Sequence, residues 1–431
     1  MKGKSKGRLY AKGMYVLLFS LCVFLVGCNS SETENGSASE DGEIVLHFWG
    51  GVPADAGPQA VVDQWNEENE DVKVEYTRFV NDDDGNLKLN TALQTGDSVD
   101  LFMSYVPNYL QDRVESEFVL DLSQFDDYDI EEKMGEEAQR WLVNDSYYAV
   151  PTKQNANFIF LNKTALDEAG LPIPEEWSWE ELREYAAELT TDTRLGYSQF
   201  DPSTHTYVAS ALIDEGYVNA NGQSNFDQVN VAEGLNIMHE MMHNDQSMMP
   251  LGEQIATGAA ADQMFLNGEV AILSAFEGIL RMSNDLEEYP RDFEIAFAPF
   301  PNFEGGSQIA HGLGDAISIA SHTDYPEEAW EFIKWYADEG MIHQASGGRI
   351  PSSKDAPIDQ AIADMVEGVE DTYDIASLER MFDQPGVIAE VLPLQVDDLL
   401  NQELERYFID EQDLDQTIEN LVDRHNQYLE E

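Results

Sequence analysis

The sequence predicts an α/β fold, with parallel sheets that carry helices on both faces. Short β-rich runs such as Ile44–Trp49 alternate with helical periods such as Ala60–Glu68. The alternating strand Val72–Tyr76 comes next, and a helical stretch at Leu87–Leu93 then leads to the apolar run Asp100–Met103. Repeated strand–helix units of this kind form parallel sheets, because each helix returns the chain to the end of the sheet where the next strand begins.

The middle of the chain continues with longer helices before strands return. Trp177–Leu189 has a helical period, and Ser178 with Glu181 three residues later forms the capping-box pattern of a helix start. Val231–His243 has the apolar stripe of an amphipathic helix. Strand character returns at Phe293–Phe297, and the last part of the chain is again mostly helical.

The amino terminus has the pattern of an exported lipoprotein. Five basic residues precede an apolar run at 14–26, which is too short to span a bilayer as a helix. This run ends just before Cys28 and resembles the lipobox at which bacterial lipoproteins are cleaved and acylated. We therefore predict a signal peptide at 1–27, lipidation of Cys28 and a flexible polar tether at 28–43. Because Cys22 lies inside the signal peptide, the mature chain can form no internal disulfide.

The composition is strongly acidic. The chain carries 84 acidic and 23 basic side chains, a net charge of −61. Residues 1–27 hold five of the basic and none of the acidic side chains, so the mature chain would carry −66. A surface with this charge repels phosphate backbones, and we expect no nucleic-acid partner. The sequence contains no catalytic serine elbow and no phosphate-binding glycine loop.

Five motifs in a fixed order connect the chain to a known family. The motifs are Leu93–Phe102, Tyr148–Leu182, Phe265–Ile272, His311–Lys334 and Gly347–Pro351. With them, residues 44–431 resemble extracellular solute-binding proteins of family 1, the maltose-binding-protein-like, substrate-binding lipoproteins of ABC sugar transporters. Val99 and Leu161 depart from the family pattern, in which Pro and Tyr are usual.

The resemblance implies a type II periplasmic-binding-protein-like fold, an α/β fold with two lobes and a ligand cleft between them. It implies three crossings between the lobes, near Thr152–Asn157, Ala298–Pro301 and Ser321–His322. On this basis one lobe comprises residues 44–155 with 301–321, and the other comprises 156–300 with 322–431.

The resemblance also implies which loops line the cleft. In such loops, aromatic faces stack on sugar rings while amides, carboxylates and Arg bind the hydroxyls. We expect about half of the candidates to contact ligand, because each also has an ordinary structural role in folds of this kind. The candidates are Trp49, Gly50, Ser104, Tyr105, Asn108, Gln154, Asn155, Asn157, Phe200, Asp201, Phe276, Glu277, Gly312, Gly314, Asp315 and Arg349.

The function implied is capture of a sugar or oligosaccharide outside the cytoplasmic membrane and its delivery to an ABC permease. We expect a monomer that is held at the extracellular face of that membrane by its lipid, has no cofactor and catalyses no reaction. A different cargo stays open, a non-sugar solute such as a polyamine, because an acidic protein suits a cation.

One motif favours a different class of protein. His239-Glu240-x-x-His243 on a predicted helix is the signature of zinc peptidases, in which the two His bind zinc and the Glu acts as general base. The residues at 246 and 249 do not continue the longer form of the motif. A surface zinc metallopeptidase is therefore the alternative hypothesis, although a structural helix is the simpler interpretation.

Overall fold

Two mixed β-sheets organise the protein. A computed structural model describes residues 43–309, 312–382, 386–390 and 392–430. The signal peptide, Cys28 and all but the last residue of the tether lie outside the described residues. The strands are β1 Ile44–Gly50, β2 Val72–Arg78, β3 Leu101–Ser104, β4 Leu142–Val143, β5 Ser146–Tyr147, β6 Val150–Asn155, β7 Asn157–Asn162, β8 Leu195–Gln199, β9 Val270–Phe276, β10 Ile295–Ala298, β11 Gly312–Ile319 and β12 Ile350–Pro351.

The first sheet has six strands in the order β12-β6-β11-β3-β1-β2. Strand β1 pairs in parallel with β2 and β3, as the alternation of strands and helices predicts. Strands β11 and β12 are antiparallel to their neighbours, so the sheet is mixed and not parallel throughout. The reason is the path of the chain: β6 leaves this sheet for the second one and β11 returns from it, so the two run in opposite directions.

The second sheet has four strands in the order β10-β7-β9-β8. Strand β7 enters from the first sheet and β10 leads back towards it, and these two strands are accordingly antiparallel. Strand β9 is antiparallel to β7 and parallel to β8. The carboxyl ends of β8 and β9 therefore meet at the same edge of the sheet.

Helices cover both sheets. The capping box predicted at Ser178 and Glu181 is present at the start of α6. No helix among the described residues is both long and apolar enough to span a bilayer. The helices are α1 Pro58–Glu68, α2 Asp83–Thr95, α3 Pro107–Glu115, α4 Ile130–Met134, α5 Lys163–Ala169, α6 Trp179–Leu189, α7 Thr206–Ala211, α8 Val229–His243, α9 Leu251–Thr257, α10 Ala261–Leu266, α11 Gly278–Ser283, α12 Pro326–Asp338, α13 Ile358–Met365, α14 Ile375–Phe382, α15 Leu394–Phe408 and α16 Leu414–Glu430.

Each sheet is buried on both faces. In β7, Phe158 and Phe160 pack into one apolar cluster, while Ile159 and Leu161 pack into another on the opposite face. Successive side chains of a strand point to opposite faces, so a run with no polar residue is required where both faces are covered. The first sheet is covered in the same way, with Phe102 on one face and Met103 on the other.

The chain changes sheets close to two of the predicted positions. Only Ala156, which is fully buried, separates β6 from β7, within the predicted crossing Thr152–Asn157. Strand β10 ends at Ala298, where the second crossing was predicted.

The third predicted crossing, at Ser321–His322, does not match the structure. Residues of α12, among them Trp330 and Phe332, pack in the core of the first sheet, and β12 is a strand of that sheet. After Met341 the chain reaches the core of the second sheet, first through Ile350 of β12 and then through α13. Residues 322–341 were thus expected in the wrong lobe, because an amphipathic helix does not reveal from its sequence which of two apolar cores it covers.

Candidate functional site

A pocket of about 610 Å³ opens at the carboxyl ends of β8 and β9. Ligands of open α/β sheets bind at such strand ends, where loops diverge and leave a crevice. Where β8 pairs with β9, Gln199 lies opposite Ser274 at this edge. The Phe200 amide donates to the Ser274 carbonyl at 2.8 Å. The loops after both strands are therefore fixed side by side, and residues from 389–390 and 392–400 form a further part of the lining.

Two aromatic rings form a corner inside the pocket. Phe200 and Phe276 lie with ring centres 5.0 Å apart and ring planes at 74°. They are 41% and 38% exposed, in a protein whose other aromatic side chains are mostly buried. Asn157, the register partner of Phe276, also lines the pocket. The corner thus presents two apolar faces beside the Asn157 amide, whose nitrogen also donates to the Asn155 carbonyl at 3.3 Å.

The charged residues that line this pocket are acidic. Asp201, Glu390 and Asp397 all contribute to the lining, and no Lys or Arg is found among the lining residues that the structure describes. Asp201 accepts hydrogen bonds from the backbone and hydroxyl of Ser203, at 2.9 and 2.7 Å. Burial raises the pKa of Asp397, and the charges of Asp398 and Asp201 add to this effect.

A chain of hydrogen bonds positions Asp397. The Asn401 amide nitrogen donates to the Asp397 carboxylate at 3.2 Å, which leaves the Asn401 oxygen to accept from His205 Nε2 at 2.8 Å. The other ring nitrogen of His205 is therefore the acceptor for the Tyr207 hydroxyl, at 2.9 Å. Burial lowers the pKa of His205 to about 4, so this histidine is neutral at neutral pH.

A second group of charges lies where β6 passes into β7. Lys153 pairs with Glu277, and both side chains are less than one-tenth exposed. The Glu277 amide donates to the Ala156 carbonyl at 2.9 Å, which ties the end of β9 to the crossing strand. Burial raises the pKa of the Glu277 carboxyl, while Lys153 opposes this effect.

Asp315 and Arg349 complete this group, which we call the junction cluster: Lys153, Glu277, Asp315 and Arg349. Asp315 has a φ of 51° in the middle of β11, a left-handed conformation that Asp tolerates better than most residues. Its carbonyl accepts from the Thr152 hydroxyl at 2.6 Å, and its carboxylate pairs with Arg349. The junction cluster contains two cations and two anions, and its charges are mutually compensated.

The sixteen residues predicted for the site divide into three groups. Asn157, Phe200, Asp201 and Phe276 line the pocket. Glu277, Asp315 and Arg349 belong to the junction cluster. The others lie outside both groups, and they are Trp49, Gly50, Ser104, Tyr105, Asn108, Gln154, Asn155, Gly312 and Gly314.

Contacts within the first lobe account for several of this third group. The Trp49 indole donates to the Ser98 carbonyl at 3.1 Å, and Ser104 accepts from Arg113 at 2.8 Å. The Tyr105 hydroxyl accepts from the Gly51 amide at 2.5 Å. A Cβ on Gly50 would lie 2.6 Å from the Tyr76 hydroxyl, so a larger residue there would displace the Tyr76 ring.

The remaining members lie at the edge of the junction cluster or are exposed. Asn155 accepts from Lys153 at 3.0 Å, and a Cβ on Gly314 would overlap the Asn155 side chain. Gln154 donates to the Pro351 carbonyl at 3.1 Å. Gly312 pairs with Asn155 in the sheet, and Asn108 is exposed at the start of α3.

Sequence reasoning missed important residues of both groups. Lys153 lies within the predicted crossing Thr152–Asn157 but was not among the predicted site residues. The sequence did not single out Glu390 and Asp397, because acidic residues are everywhere in this chain and both are remote in sequence from the strand ends. His205 was missed because its role depends on Asn401, 196 positions away.

The zinc-peptidase motif lacks its catalytic geometry. Glu240 forms an ion pair with Arg183 at 3.2 Å and accepts from Asn244 at 2.8 Å. A general base must reach the metal-bound water, and the Glu240 carboxylate is instead engaged on the flank of α8 that faces α6. The alternative hypothesis of a zinc peptidase is therefore not supported.

Comparisons with known proteins agree with this architecture. The multiple sugar-binding protein of Streptococcus mutans is 25% identical over 73% of this chain and 75% of its own length. The arabinooligosaccharide-binding protein of Halalkalibacterium halodurans is 25% identical over 68% of this chain and 67% of its own.

A solved structure confirms the two-lobed type II α/β fold. The ABC substrate-binding protein from Listeria monocytogenes in complex with cycloalternan superposes with a TM-score of 0.68. The two chains are 17% identical, and the match covers 90% of this chain and 99% of the other. The profile of a family described as bacterial extracellular solute-binding protein matches residues 50–341. The chain therefore belongs to the bacterial extracellular solute-binding proteins.

Proposed function

We propose that this protein binds a sugar or oligosaccharide in the pocket at the ends of β8 and β9. The observation that carries the proposal is the exposed corner of Phe200 and Phe276 beside three carboxylates. Carbon-bound hydrogens of a sugar ring pack on aromatic faces, while carboxylates accept hydrogen bonds from its hydroxyls. Two of the relatives compared above are named for sugar or oligosaccharide binding, which supports the same class of ligand.

We further propose that the protein is lipid-anchored through Cys28 and delivers its ligand to an ABC permease. The support is the lipobox-like end of the apolar run before Cys28, together with the family to which the chain belongs. In this role the protein would act at the extracellular face of the cytoplasmic membrane and would release its ligand unchanged.

Binding of a sugar panel tests the central proposal. Addition of the correct oligosaccharide raises the melting temperature, because a ligand that binds only the folded chain stabilises it by mass action. Calorimetry then gives the affinity and a stoichiometry of one per chain. If no mono- or oligosaccharide changes the melting temperature of the purified protein, the proposal fails.

The anchor has a separate test. Mass spectrometry of the protein from membranes would show a diacylglyceryl group on Cys28, and Cys28→Ala would be released from the membrane. An unmodified Cys28 in membrane-derived protein contradicts the anchor without affecting the ligand proposal.

A second candidate ligand is a cationic solute such as a polyamine. The described charges of the pocket lining are acidic, and a cation can lie against an aromatic face. Asp397→Asn separates the candidates. Binding of a polyamine should weaken and become less dependent on salt, because one of three pocket carboxylates is removed, whereas a neutral sugar should bind equally at low and high salt.

A further inference from the structure

A cluster of metal-ligating side chains lies away from the pocket, between α8 and the turn that joins α15 to α16. His239 and His243 are four residues apart on α8 and thus lie on one side of the helix. Asp410 lies in the α15–α16 turn. One ligand atom from each of these three residues lies within 4.8 Å of the other two.

The distances are close to those of a bound metal. His239 Nε2 is 2.9 Å from one Asp410 oxygen, and His243 Nδ1 is 3.8 Å from the other. Bonds of about 2.0–2.1 Å to a tetrahedral zinc ion separate ligand atoms by about 3.4 Å. The two histidine–carboxylate distances lie on either side of this value, and the Asp410 side chain is 66% exposed, so packing leaves it room to turn towards an ion.

A hydrogen bond to a backbone carbonyl orients His243 as a metal ligand. Its Nε2 lies 2.9 Å from the carbonyl oxygen of Phe408. A carbonyl only accepts, so Nε2 carries a proton, and Nδ1, which lies 3.8 Å from Asp410, is the nitrogen left to bind a metal ion. A ligand histidine that donates its other nitrogen to a carbonyl is the usual arrangement in metal sites, since it fixes the ring and its tautomer.

The surrounding side chains hold the two imidazoles in place. The His239 ring lies 4.3 Å from the His243 ring and 4.9 Å from the Tyr407 ring, centre to centre. Each histidine is about one-quarter exposed or less, so the ligand atoms remain accessible from solvent.

We propose that His239, His243 and Asp410 form a site for a divalent transition-metal ion such as Zn²⁺. Two imidazoles select such ions over Mg²⁺ and Ca²⁺, which prefer ligand sets made of oxygen. Three protein ligands leave one position of a tetrahedral ion for water. Because Glu240 is paired with Arg183, the site is structural: the ion joins α8 to the last two helices.

Zinc binding to the chelator-stripped protein tests this proposal. The protein is prepared without a histidine tag, and excess Mg²⁺ occupies the many surface carboxylates. Calorimetry should show one Zn²⁺ per chain, and Co²⁺ should give the strong visible absorption of a tetrahedral site with nitrogen ligands. We expect His239→Gln and Asp410→Asn each to lower the zinc affinity at least about tenfold.

The chain supplies a matched control and a check on folding. His47→Gln removes another histidine–carboxylate pair, His47 with Glu75, and should leave zinc binding unchanged. Asn adopts the left-handed conformation of position 410, where φ is 60°, so Asp410→Asn preserves the turn. Absence of zinc binding to the wild-type protein, or equal binding by all variants, overturns the proposal.

Discussion

The pocket and the junction cluster are adjacent, yet they satisfy their polar groups in different ways. In the junction cluster each buried charge has an opposite charge beside it, as Lys153 has Glu277 and Arg349 has Asp315. In the pocket the charges are of one sign and the aromatic rings are partly exposed. A region in which each charge has an opposite charge beside it supports the fold, whereas carboxylates with no Lys or Arg among the described lining residues can gain by binding a ligand.

The largest effect should come from Lys153→Met. It leaves Glu277 buried at the sheet junction without its cation, which should lower the free energy of unfolding by about 3–5 kcal/mol. Urea denaturation measures the change. The double variant Lys153→Met with Glu277→Leu should recover much of the loss, because no charge remains buried without a partner. If the single variant is as stable as the wild type, the junction cluster does not support the fold as described.

The next largest effect should be a dependence of the free energy of unfolding on pH, caused by His205. Its pKa is about 4 in the folded protein against about 6.5 when unfolded, so the unfolded chain binds more protons between these values. Its contribution to stability is present above pH 6.5 and should decrease by about 3 kcal/mol as the pH falls to 4. His205→Gln, whose amide can both accept and donate, should show a smaller loss of stability over this range. Equal slopes for both proteins would contradict this assignment.

A smaller effect is expected from Phe276→Ala, and it should appear in binding. Loss of one aromatic face should weaken the ligand about tenfold, close to 1.4 kcal/mol. Calorimetry measures the affinity, and denaturation should show little change because Phe276 is 38% exposed. Leu87→Ala removes an exposed apolar side chain of the first lobe and should leave binding unaltered. A loss of stability without a loss of affinity would place Phe276 in the core and not in the site.

The smallest effect should come from a substitution outside both the pocket and the junction cluster, which serves as a control for them. Ser178→Ala removes the capping box of α6 and should cost about 1 kcal/mol, measured by denaturation. Ligand affinity should stay the same, because α6 does not line the pocket. A change in affinity would show that the stability of the second lobe and its binding are coupled, and that the two regions cannot be separated.

Local patterns predicted much of the fold. The strand at 72–76 and the capping box of α6 depend on neighbours in sequence, and both are present as predicted. The direction of β11 was not predictable in this way, because it depends on the chain having left the first sheet through β6 and returned. The lobe predicted for α12 was wrong for a similar reason, because the sequence of its apolar face does not show which of the two cores it covers.

The pocket was only partly predictable. Phe200 and Phe276 follow apolar strands, and the resemblance to the family placed those strand ends at the cleft. Asp397 could not be identified, because its role depends on Asn401 and on where α15 lies relative to the ends of β8 and β9. In an acidic chain, only the spatial arrangement distinguishes a functional carboxylate from the others.

The sequence by itself determined the class of the fold, the candidate export signal and the family, because periodicity, charge and ordered motifs are properties of the chain in one dimension. Only the tertiary structure decided which side chains meet. Lys153 reaches Glu277 across 124 positions, and Asp410 reaches His239 across 171. Such pairs form because the sheets and helices that carry them pack their apolar faces together, and no local pattern records that packing.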